Sequence, residues 1–245
     1  VGPQSFRGPF PALASAYQRR HTTHLRNHAL TQRGNCENHC CGIQKGRRRE
    51  DNHCRASIGS AGRRGAIIDT YPQASLTDWF HARQNEAPVL FSADLSDIDK
   101  DVQRIASRGY RYLIIDTPPA VTSDIRKAIR VADLVIVPTR PSPHDLRAVG
   151  ATVDLIEAES KRMLFVINGA TPRARLTGAA AIELSQHGTV APVILHHRID
   201  YQASMIDGRT AQEIDACSKS AVEVGHLRDY VISQLGKCAG AELRK

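Results

Sequence analysis

No apolar run in this chain approaches the roughly 18 residues of a membrane-spanning helix, so no segment reads as a span. The first residues also lack the apolar stretch of roughly 7–15 residues that marks a secretory signal, and a cytoplasmic location is the expectation. Internal repeats and long linkers are missing. So is excess charge over most of the length: residues 66–245 hold 21 Lys+Arg against 22 Asp+Glu, whereas residues 1–65 hold 12 against 3. The formal net charge of +8 therefore belongs to the first quarter of the chain, and an inference of nucleic-acid binding from basicity would rest on that quarter alone. What is present is globular on average. Hydrophobic residues make up 41% and charged residues 24% of 245, enough to bury the core of one α/β domain, alone or with an extension.

Residues 1–65 show no helical or strand period. Three readings compete there. Cys36, His39, Cys40, Cys41, His53 and Cys54 are residue types that bind zinc, but there is no C-x-x-C pair, and adjacent Cys40 and Cys41 suit one tetrahedron poorly. A disordered basic arm is the plain alternative, with Arg47-Arg48-Arg49 touching phosphate non-specifically. The third reading, which we prefer, comes from the genetic code. Back-translated with degenerate codons and read from the second base, Glu37 to Arg55 is compatible with K-I-I-A-V-V-S-K-K-G-G-x-G-K-T-T-I-A-V. That text is a buried strand, a glycine-rich phosphate loop and the start of a helix. The frame is regained between Gly59 and Ala66, and the Cys/His cluster becomes an accident of translation.

From Gly65 onward the pattern is ordered. Apolar runs predict strands at Ala66–Asp69, Val89–Phe91, Tyr112–Asp116, Leu134–Pro138, Met163–Asn168 and Val190–Leu195. Helical spacing predicts helices at Ser75–Gln84, Asp97–Ser107, Ser123–Val131, Pro143–Glu159, Thr177–Gln186 and Ala221–Leu235. The strands are continuous apolar runs rather than alternating ones. That implies burial on both faces, hence an α/β fold with a mainly parallel sheet and helices on both faces. The division expected is an irregular basic segment over 1–65, a nucleotide-binding domain over 66–238 and a tail over 239–245.

Ligands of open parallel sheets bind beyond the carboxyl ends of the strands. Two strands end in Asp, Asp69 and Asp116, each followed by a Pro-bearing loop. A carboxylate there can hold magnesium beside a phosphate chain, or can simply cap the next loop or helix. Two such ends favour the functional role. His196, His197, Arg173 and Arg175 read as ordinary loop residues, and Cys217 and Cys238 suggest nothing catalytic.

AIIDTYPQASLTDW resembles the D-x-D-P-Q-x-S-x-T-x-W stretch of ParA-type partition ATPases, and YLIIDTPPA resembles their Walker B strand and switch II. LVIVPTRPSPHDL and FVINGATPR are similar to later strands and loops of the same family, and the shifted text K-G-G-x-G-K-T-T to its deviant Walker A loop. The likeness covers about residues 64–238 and names the ParA/MinD-type P-loop ATPases. It implies ATP and magnesium as cofactors, an ATP-dependent homodimer, non-specific DNA binding, and hydrolysis stimulated by a ParB-like partner in plasmid or chromosome partitioning. By the same resemblance Asp69 and Asp116 are the catalytic and metal-holding carboxylates. Thr117, Pro118 and Pro119 match switch II, Pro138 the adenine-side strand end, and Asn168 a residue that meets the adenine.

Two departures stand against full activity. Lys45-Gly46 is followed by three Arg and a Glu rather than by the glycines whose backbone N–H groups wrap phosphates. Tyr71 stands where the second Asp of D-x-D-P-Q would position water, and a phenol with a pKa of about 10 is no substitute. Nucleotide binding and hydrolysis are therefore expected to be impaired in this chain. The alternatives are a nucleotide-free interaction module of the same fold and a basic-tailed nucleic-acid binder.

Overall fold

The computed structural model describes residues 27–31, 65–70, 74–117 and 123–242. The Cys/His cluster, Tyr71 and Pro118 lie outside them. Among the described residues, a seven-stranded sheet runs in the order β3-β2-β4-β1-β5-β6-β7, with β1 Asn27–Thr31, β2 Gly65–Asp69, β3 Val89–Phe91, β4 Tyr112–Thr117, β5 Leu134–Thr139, β6 Met163–Ile167 and β7 Thr189–Val190. Helices α1 Ser75–His81, α2 Ile98–Ser107, α3 Ser123–Val131, α4 Pro143–Ala158, α5 Arg175–Ser185, α6 Ile199–Ala203, α7 Ala211–Ile214 and α8 Lys219–Glu242 connect and cover it. The last helix runs past Leu235 into the stretch read as a tail.

The apolar residues dictate two layers. On one face Ile115, Val135, Val137 and Phe165 pack with Val102 and Ile105 of α2, Ile125 and Ile129 of α3, and Val149, Val153 and Ile156 of α4. On the other face Leu134, Leu164 and Val166 meet Val231 and Leu235 of α8. The expected α/β sandwich is present. One strand is covered less than its sequence implied. Successive strand residues point to opposite faces, and Ile114, between buried Leu113 and Ile115, is 38% exposed on the side that α8 covers further along the sheet.

The sheet is parallel except at its centre. β2 runs parallel to β3 and β4, and β5 parallel to β6 and β6 to β7, but β1 is antiparallel to both β4 and β5. A strand at 27–31 differs from the irregular segment read there. The cause is tertiary: β4 and β5 would otherwise present two unpaired backbone edges inside the sheet. NHALT fills that slot without a hydrophobic period of its own. β7 is shorter than its apolar run because it is an edge strand paired only with Leu164 and Phe165, although Leu195 N–H still donates to Ile167 O at 2.9 Å.

Candidate functional site

β2 and β4 are in register so that Asp69 pairs with Asp116. The two carboxylate-bearing residues thus end neighbouring strands about 4.8 Å apart. Asp116 is 2% exposed, and Thr117 beside it is also buried. Thr70 seals the strand ends together: its N–H and its hydroxyl both donate to Asp116 O, at 3.1 and 2.6 Å.

Asp69 has a second task. Its Oδ2 accepts from Thr77 N at 2.9 Å and from Thr77 Oγ1 at 3.1 Å. Thr77 is the third residue of α1, whose N-cap, Ala74, supplies no capping side chain and has φ 50°. Asp69 therefore caps α1 from the preceding strand, satisfying an amide that the helix itself leaves without a partner. The capping role that a strand-end Asp can play is observed, and it uses one carboxylate oxygen.

Across the slot, Pro138 pairs in register with Val166 of β6, and Asn168 N–H donates to Thr139 O at 2.9 Å. Pro138 is tolerated inside the sheet because β1 pairs only with Leu134 to Ile136. Gly169 follows with φ 64°, beside the Arg140 side chain. The described candidates therefore share one edge of the sheet but form two groups. Asp69, Asp116 and Thr117 stand on one side of β1, Pro138 and Asn168 on the other, with β4 and β5 about 10 Å apart, two strand spacings.

Sequence reasoning missed Thr77 and Thr70 as partners of the acids, although Thr77 lies in the segment that carries the resemblance. It also missed a cluster reaching from the loop after β7 to α8. Glu223 accepts from His196 N, from Arg198 Nε and from Tyr201 Oη, and its Oε1 lies 2.8 Å from His196 Nδ1. Burial pushes the Glu223 carboxyl up, but the Arg198 and His196 hydrogen bonds outweigh it and hold it at about 2. Burial, followed by the charge of Glu223, pushes the Tyr201 phenol up. No local signal in the sequence joins residues 25 positions apart. Among the described residues, no group of three or more His, Cys, Asp or Glu could hold a metal ion. No helix there is long and apolar enough to cross a membrane.

The fold is shared with solved cell-division ATPases. MinD from Aquifex aeolicus superposes with a TM-score of 0.58 at 15% identity, over 74% of this chain and 90% of that one. The chain has the ParA/MinD-type P-loop ATPase fold. The septum site-determining protein MinD of Pyrococcus horikoshii, solved with Mg-ADP, gives a TM-score of 0.56 at 15% identity, over 76% and 90% of the two chains. A curated relative, the maintenance of carboxysome distribution protein A of Halothiobacillus neapolitanus, is 27% identical over 189 residues, 72% of this chain and 86% of that protein. No family model matches the chain.

The ParA/MinD-type fold implies ATP and magnesium, and the residues fit them on one side only. Asp69 and Asp116 offer carboxylates at the carboxyl edge. The phosphate side does not fit. β1 is antiparallel, so its last residue, Thr31, pairs with Leu113 near the start of β4, and the chain leaves the sheet at the edge away from the acids. β2 begins at that same far edge, with Gly65 beside Tyr112. Thr31 and Gly65 thus both lie at the sheet edge opposite the acid pair.

Proposed function

We propose that this chain descends from ParA/MinD-type ATPases that position an intracellular cargo, and that in its present form it does not hold ATP. The observation that carries the reading is the combination at the centre of the sheet. The two acids are in register at the ligand edge, while the slot between β4 and β5 is filled by Asn27–Thr31, which runs the other way. Descent is supported by the shared fold and by the relative named for carboxysome distribution. A ParB-like or other partner protein, non-specific DNA and a homodimer belong to this proposal. So do plasmid or chromosome partitioning as the cargo process and the roles of Asp69, Asp116, Thr117, Pro118, Pro138 and Asn168 around a nucleotide.

Three chains test it: the present one, one with the frame restored over residues 37–65, and one with the frame restored and Tyr71→Asp. The expected result is ATP binding in the second and third only, and full turnover in the third. Each charge-assisted hydrogen bond to phosphate contributes roughly 1.5–3 kcal/mol, so losing the loop removes several such contributions. Equal hydrolysis by the present chain and the third would overturn the proposal.

A nucleotide-free interaction module is favoured by one observation: Asp69 Oδ2 is engaged as a helix cap by Thr77. Partner binding by the present chain that is indifferent to added ATP would select this reading.

A further inference from the structure

Helix α1 has no buried residue, so apolar packing does not fix it. Seven residues span about 10 Å, and both ends are held by polar contacts. The N-terminal end is held by Asp69 through Thr77. The C-terminal end is held by Arg83, two residues beyond the helix, whose side chain is only 3% exposed. Its guanidinium donates to both carboxylate oxygens of Glu213, at 2.8 and 3.0 Å, to Gly208 O at 2.5 Å and to Ala87 O at 2.7 Å. The same group lies 4.7 Å from the centre of the Trp79 ring, and Trp79 Nε1 donates to Arg209 O at 3.3 Å. Glu213 is itself fixed, because it closes a capping box with Thr210 at the start of α7.

We propose that Arg83 is a positioning residue for the Asp69 carboxylate, acting through α1 and Thr77. A buried fork that satisfies five acceptors, Asn85 O among them, sets where the short helix lies, and the helix sets where the two Thr77 donors meet Asp69 Oδ2. Planar bidentate pairing gives this hold a direction that a lysine could not supply. The clamp thereby ties the ligand-edge acid to Glu213, which lies 130 residues beyond Arg83 in the chain. Its interest rests on the reading of Asp69 as a ligand-edge carboxylate, but the contact itself is tested without nucleotide.

The test uses the full chain and amide hydrogen exchange at Thr77, with the Asp69 side-chain carboxyl carbon followed by NMR. Arg83→Met removes the clamp, and Glu213→Gln keeps its volume while removing its charge. Arg130→Met, which breaks an exposed pair with Glu159, is the control. Thr77 exchange is expected to rise tenfold or more in Arg83→Met and by less in Glu213→Gln. The Asp69 resonance should shift in both, with Val137 and Ile167 amides unchanged. The control should leave Thr77 and Asp69 as they were. Unchanged Thr77 exchange in both variants, or an equal rise at Thr77, Val137 and Ile167, would overturn the proposal. Failure of ATP binding by the frame-restored chain would bear on the functional reading alone.

Discussion

Thr77 directs its amide and its hydroxyl at one carboxylate oxygen, and Glu223 draws donors from three residues; both are contacts that local sequence does not announce. Asp69 and Asp116 were legible because an acid ending an apolar run is rare and positioned by the run itself. Their partners were not, because an eight-residue turn or a 25-residue excursion must close before the atoms meet. The Glu223 cluster has a pH signature. Its carboxyl lies at about 2 against an ordinary 4.5, so the stability it adds is present above about pH 4.5 and is lost as pH falls towards 2. Glu223→Gln should lower stability at neutral pH by about 1–3 kcal/mol, since it removes hydrogen bonds to a charged acceptor. In urea titrations from pH 7 to 2 the two proteins should converge at the acid end. A constant gap over that range would show that the carboxylate does not carry the effect.

At the scale of elements, the apolar runs placed β3, β4, β5, β6 and the helices α2, α3 and α4 within a residue or two. In those segments burial and periodicity agree. They failed where neighbours decide. β1 has no period and exists because β4 and β5 flank a gap, and α6 and α7 are too short to show a repeat. The loop before α7 also carries a constraint invisible in the sequence. Gly208 has φ 73°, and a Cβ there would lie 2.5 Å from both Arg83 N and Trp79 O, which are backbone atoms with little room to yield. Gly208→Ala should cost at least about 2 kcal/mol, from the left-handed conformation and the overlap together. That corresponds to a melting temperature lower by roughly 4–8 °C or more for a chain of this size. A melting temperature unchanged within 1 °C would mean that α1 is not pressed against this loop.

For the molecule as a whole, the sandwich and its ligand edge were readable, whereas the reversal of the central strand was not, because strand direction leaves no mark on hydrophobicity. The reversal makes β1 a strand on which two neighbours depend. A chain that begins at residue 27 keeps β1 and is the reference. Removing residues 1–31 takes β1 away and exposes the backbone edges of β4 and β5. Edges of that kind pair with other chains, so the shorter protein should lose a single cooperative transition and aggregate, as light scattering would record. Equal behaviour of the two truncations would show that Asn27–Thr31 contributes nothing to the sheet. The half-open side of β4 at Ile114 belongs to the same account, since no described helix closes that face as α8 closes it over β5 and β6.

The placement of β1 also sets an order of events during synthesis. Chains fold from the N-terminus as they emerge, yet Asn27–Thr31 finds its first partner only when Tyr112–Thr117 has been made, and its second only after Leu134–Thr139. Such distant pairing is slow, because the intervening loop must be closed before any contact rewards it. The first of the described strands in chain order is therefore a late one to dock, since more than eighty residues are added behind it before its first partner is complete.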